Sequence, residues 1–198
     1  MVSSVAERDT PPASDLTSGK NGPELWAAIL ARFPPEAVIA GGAVRDFLLG
    51  VEPKDIDVFL PVDKWPACGF PGFASLGANR DDEYQAMPDI AVVQRGEVEG
   101  HQVDIVGVVP PVQPFSPAAL VATFDFGITR CWFDGAEIHD TPEAKADREG
   151  RVVTCHLLER LARAHDRFER FNTRLGGGWR FDAPPRPVEP VMDGEVVF

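Results

Sequence analysis

Apolar residues recur along the chain with two periods. Across residues 23–33, Leu25, Trp26, Ile29, Leu30 and Phe33 share one face of a helix. Pro23 and Glu24 suit its first turn, and Pro34-Pro35 breaks it. Residues 37–40 read as a short buried strand and residues 44–49 as a short helix, with Gly50 in the C-cap position. Across residues 55–60 the period changes to two, the alternation of a strand that places Asp55 and Asp57 on one face. Residues 90–94 and 101–108 predict a hairpin around a glycine-containing turn at 95–100. Val103, Ile105 and Val108 mark its core side, and Asp104 points to the face opposite Val103 and Ile105. Ser116-Pro117 caps a short helix over residues 116–122, and Asp134-Gly135 turns a second hairpin between residues 128–133 and 136–139. The longest helix is expected over residues 154–175. Leu157, Leu161, Ala164, Phe168, Phe171 and Leu175 form its stripe, and Gly176-Gly177-Gly178 stops it.

These elements divide the chain into an arm over residues 1–22 without apolar period, a head over 23–150, a helical segment over 151–178, and a proline-rich, loosely ordered tail over 179–198. The connection over residues 61–88 is long and irregular, as covers of sites and plain surface excursions both are. At 198 residues the chain is long enough for one domain with a real core. No apolar run approaches a membrane span, and residues 1–9 lack a signal-peptide pattern, so a cytoplasmic location is expected. Cys68, Cys131 and Cys155 lie far apart and suggest neither zinc nor a disulfide framework. His101, His139, His156 and His165 show no ligand spacing.

Net charge changes the picture more. At −12 it weighs against broad nucleic-acid binding, which rests on phosphate neutralisation by Lys and Arg. It also makes carboxylates abundant, so a metal site must be argued from spacing. Asp55 and Asp57 emerge side by side and repel unless a cation sits between them; Asp104, on a neighbouring strand, completes a three-carboxylate cage for Mg²⁺. That set fits in-line nucleotidyl transfer, with Asp104 also helping to deprotonate the acceptor hydroxyl. Taken alone, two alternate aspartates are equally a solvent-facing strand. Ahead of them, Gly41-Gly42 allows a sharp turn and close approach of a phosphate to the backbone, at the start of a helix. Arg160, Arg163, Arg167, Arg170 and Arg174 form a stripe along the last helix, either a phosphate-holding surface or a solvated face offset by Glu159, Asp166 and Glu169.

Gly41-Gly42-x-Val44-Arg45-Asp46-x-Leu48-Leu49-Gly50-x4-Asp55-x-Asp57 resembles the head-domain signature of class II CCA-adding tRNA nucleotidyltransferases and bacterial poly(A) polymerases, of the DNA polymerase β superfamily. The resemblance extends more weakly through Asp125-Phe126-Gly127-Ile128-Thr129, Ile138-His139-Asp140-Thr141-Pro142 and the helix carrying Arg160 and Arg163, covering residues 24–175. It implies an α+β fold, a mixed sheet with helices on one side followed by a long C-terminal helix. It also implies two Mg²⁺ ions and transfer of a nucleoside monophosphate from an NTP to an acceptor hydroxyl, tRNA or another RNA in that family. By the same resemblance Asp55 and Asp57 hold metal, and Gly41, Gly42 and Arg45 lie against the triphosphate. Asp125 and Arg160 contact the nucleoside, and Arg163 stands at the site.

Departures fall on the specificity elements. Thr123-Phe124-Asp125 stands where the family has Arg-Arg-Asp, Ala144 where it has a hinge glycine, and His156-Leu157-x-x-Arg160 where it has the base-reading Glu-Asp-x2-Arg. Two rivals follow: a nucleotide-binding or regulatory module without turnover, and a small transferase acting on a protein or small molecule.

Overall fold

Helix α1 (Pro23–Leu30) buries Trp26, Ile29 and Leu30, three of the stripe residues. The chain then enters β1 (Val38–Ala40), turns at Gly41 into α2 (Gly42–Leu48) and returns along β2 (Ile56–Pro61). This is a computed structural model, and it describes residues 22–76, 89–110, 114–157 and 161–183. The expected arm up to residue 21, the polar residues 80–83, Arg160 and the tail beyond residue 183 lie outside the described residues.

A two-residue β3 (Ala74–Ser75) precedes the hairpin of β4 (Ile90–Val98) and β5 (His101–Val108). The strands of this hairpin are longer than the sequence pattern suggests, because the turn contracts to Glu99 and Gly100, both at positive φ. Helix α3 (Pro117–Ala122) follows, with the Ser116 hydroxyl accepting from the Ala119 N–H. Then come β6 (Cys131–Phe133), β7 (Ile138–Asp140), α4 (Pro142–Gly150), β8 (Val152–Thr154), α5 (Leu161–Arg174) and β9 (Arg180–Asp182).

Seven strands form one mixed sheet in the order β3-β4-β5-β2-β1-β6-β7, and β8 with β9 forms a separate pair. Only β2 and β5 run parallel in the large sheet. Both faces are covered. Helices α1 and α2 pack Trp26, Ile29 and Val44 against Ile39, Val58, Ile105 and Phe133. On the other face α3 and Phe124 cover Phe59, Val106 and Val108. Helices therefore flank the sheet on both sides, where the family resemblance implied one. Val108 belongs to this second face, opposite Ile105, as period two requires.

Two expectations near the C-terminus are overturned. The long helix expected from residue 154 does not begin there: Thr154 ends strand β8, whose β-branched Val-Val-Thr pairs in parallel with β9, and residues 155–157 are not helical. Arg180–Asp182, placed by its position in a loose tail, is that partner strand. Helix α5 spans 14 residues and packs Ala164, Phe168 and Phe171 against Phe126, Ile128, Val153 and Trp179. No described helix is long and apolar enough to cross a membrane.

Candidate active site

The turn between β1 and α2 places Gly41 at φ 79°, ψ −124°, a conformation that favours glycine. A Cβ there would lie 3.3 Å from the Phe124 ring. The Gly41 N–H donates to the carbonyl of Cys131 at 3.0 Å, which joins the turn to β6. Burial pushes the Cys131 thiol up to about 12, so it is inert.

Beside this turn opens a cavity of about 460 Å³. Ala40, Gly41, Gly42, Arg45 and Asp46 form one wall, and Asp55, Asp57 and Phe59 come from β2 and the residue before it. Phe124, Asp125, Phe126 and Thr129 form the base, and α5 closes the far side with Arg163, Arg167, Arg170, Phe171 and Arg174. Seven of the nine expected site residues meet here: Gly41, Gly42, Arg45, Asp55, Asp57, Asp125 and Arg163. Asp104 is not in the lining, and Arg160 is outside the described residues.

Strand register explains the aspartates. Asp57 pairs with Asp104 across β2 and β5, and Asp104 pairs with Arg95 across β5 and β4, so the three side chains share one face. Asp104 is 1% exposed. Its two oxygens accept from Arg95 Nε and Nη2, each at 2.7 Å, a bidentate pair. The three-carboxylate cage expected from the sequence is therefore not formed: among the described residues no group of three metal-binding side chains comes together. Position and face were as expected, but the carboxylate is held by an arginine. Asp55 and Asp57 remain together at the cavity, and two hard oxygen donors beside a phosphate-sized cationic space fit Mg²⁺, which commonly uses one or two carboxylates plus phosphates and water.

Arginines from α5 make the other side. Asp46, 2% exposed, accepts from Arg45 Nε at 2.8 Å and from Arg174 on α5. Asp125 is paired with Arg167. Two phenylalanine rings lie beneath guanidinium groups, Arg45 over Phe171 at 4.7 Å and Arg167 over Phe126 at 5.0 Å. Arg163 makes no hydrogen bond or ion pair with the described residues. The stripe is thus a cavity wall, and its full extent was missed because helical spacing alone does not say which side faces the head. Asp46 and Lys54 were also missed as lining residues; Asp46 lay inside the quoted motif, which was the available signal.

The segment carrying Asp125 is held by its backbone. Its carbonyl accepts from the His156 N–H at 2.7 Å, and Arg130 donates to the carbonyl of Phe124 at 3.0 Å. His156 stands where the family has a base-reading glutamate, yet it is absent from the cavity lining. A Cβ on Gly127 would lie 3.1 Å from its Nε2, which has no hydrogen-bond partner among the described residues. Burial, then the nearby Arg130 charge, lowers its pKa from the ordinary value, so it is packed as a neutral ring.

No protein-family model matches the chain, and no curated protein does. Among solved structures the chain is similar to the Thermotoga maritima CCA-adding enzyme complexed with tRNA, at 17% identity and TM-score 0.53, covering 85% of this chain and 42% of that one. It is similar to a CCA-adding enzyme with CTP at 16% identity and TM-score 0.55, covering 85% and 43% of the two chains. A CCA-adding enzyme with ATP matches at 18% identity and TM-score 0.51, covering 81% and 38%. The shared feature is the fold, a mixed sheet flanked by helices. The chain spans less than half the length of these proteins.

Proposed function

We propose that this chain is an Mg²⁺-dependent nucleotidyltransferase that moves a nucleoside monophosphate from an NTP to an acceptor hydroxyl and releases pyrophosphate. The observation that carries the reading is the charge of the cavity. In a chain of net charge −12, six cationic side chains line it against four carboxylates, two of which are the alternate pair Asp55 and Asp57. A surface that concentrates arginine in an acidic protein suits a polyanion, and a triphosphate matches its size.

Asp55 and Asp57 would hold the ions, two by the family resemblance; a bound Mg²⁺ offsets phosphate charge and lowers the pKa of the attacking hydroxyl. Gly41 and Gly42 let the triphosphate approach the backbone. Arg45, with Arg163 and Arg170 from α5, draws it in and orients it. Phe124, Phe126 and Phe171 offer apolar walls for the base, and Asp125 faces the sugar. In the reaction the acceptor oxygen bonds to the α-phosphorus as the bond from that phosphorus to the oxygen bridging to the β-phosphate breaks, pyrophosphate leaves, and the acceptor proton passes to solvent, since Asp104 is taken by Arg95. The acceptor follows from charge: the acidic exterior suits a short RNA 3′ end, a protein or a small molecule better than a long duplex.

The test uses full-length chain, labelled NTPs and a panel of these acceptors. Pyrophosphate release that disappears in Asp55→Ala/Asp57→Ala supports the reading; release unchanged in that variant overturns it. A second reading, nucleotide binding without turnover, is favoured by the arginine pairing of Asp46, Asp104 and Asp125. NTP binding by calorimetry with no pyrophosphate released on any acceptor would establish it instead.

A further inference from the structure

Asp57, Asp104 and Arg95 form a row across three neighbouring strands, and the charge of Arg95 is permanent. The guanidinium fork matches the Asp104 carboxylate oxygen for oxygen at 2.7 Å, on a residue shut from solvent. A divalent ion on either of those oxygens, at about 2.1 Å, would sit against a fixed cation, so binding it requires Arg95 to leave. Arg95 is half-buried in a strand paired on both sides, by β3 and β5. We propose that Arg95 takes Asp104 out of metal binding, so that Asp55 and Asp57 are the entire metal-holding set among the described residues. Arg95 is then a positioning residue: it holds the Asp104 carboxylate without touching the reacting groups. This inference rests on the metal-dependent reading above.

The test reads metal binding and not activity. Mn²⁺ is titrated into the full chain with a non-hydrolysable ATP analogue, and the free-ion EPR signal is compared with that of the analogue alone. The double variant Arg95→Met/Asp104→Leu removes both charges together, leaving net charge unchanged and replacing a buried pair by apolar residues, which folds commonly tolerate. Its Mn²⁺ affinity is expected to match the wild type within about twofold, whereas Asp57→Asn is expected to lose at least about tenfold. A tenfold or greater loss in the double variant overturns the inference. Should that variant not fold, anomalous scattering from Mn²⁺ in wild-type crystals with the analogue decides: an Asp104 oxygen within about 2.3 Å of the ion overturns it, and ligation by Asp55 and Asp57 alone supports it. Wild-type protein that adds nothing to the analogue's own Mn²⁺ binding overturns the metal-dependent reading, and this inference with it.

Discussion

Asp46 links α2 to α5 across 128 residues of chain, and replacing it tests whether the arginine wall is held from the head. In Asp46→Asn the volume stays but the charge goes, and an amide N–H₂ must face a guanidinium. Arg45, whose side chain is 14% exposed, loses its counter-ion in a place where water reaches it poorly. Arg174 is 35% exposed and recovers part of its hydration. Breaking a fully buried pair costs about 3–5 kcal/mol, and the exposure of Arg174 places this case near the lower end, about 3 kcal/mol. Stacking of Arg45 on Phe171 limits its relaxation and is retained. Urea unfolding at neutral pH, with the slope checked for constancy, measures the loss, and a cycle with Arg174→Met isolates the α2–α5 link at about 1–2 kcal/mol. Loosening α5 also moves its arginines, so NTP affinity should fall in parallel. An Asp46→Asn midpoint within experimental error of wild type would refute the reasoning, since Asp46 is the carboxylate that pairs with both Arg45 and Arg174.

Three further outcomes follow. Gly41→Val should lose about 1–3 kcal/mol, because φ 79° strains any residue with a Cβ and Phe124 lies 3.3 Å away; thermal melting reads it, and nucleotide affinity falls with it. Arg163→Ala and Arg170→Ala should each weaken NTP binding about tenfold with little change in melting temperature, as measured by calorimetry at two salt concentrations, since both are exposed on α5. His156 has a folded pKa below its ordinary 6.5, so the unfolded chain binds more protons in that window. Its contribution is fully present above pH 6.5 and is lost as pH falls from there through the lower folded value. Urea midpoints should therefore fall between pH 7 and pH 5, less steeply in His156→Gln.

Local rules carried the reading where the physics is local. The two-residue period put Asp57 and Asp104 on one sheet face, where they pair, and Asp55, just before β2, lines the cavity with Asp57. A glycine pair between an apolar strand and a helix was a turn, and Ser116-Pro117 was a cap. The reading failed where the partner is distant. Residues 152–154 sit next to a helical pattern but find a strand partner in residues 180–182, which the sequence pattern left in the tail. The arginine stripe was visible as a stripe, but its facing depended on Asp46 and Asp125, far away in sequence.

What the sequence by itself determined about this protein is an alternate aspartate pair set behind a glycine turn, because turn geometry and strand alternation act within a few residues. What only the tertiary structure decided is which charges meet. A carboxylate has the same chemistry whether it ends beside a metal site or an arginine, and desolvation on folding selects the partner. Asp104 met Arg95, Asp125 met Arg167, and four arginines that a helical wheel leaves undirected became one wall of the cavity.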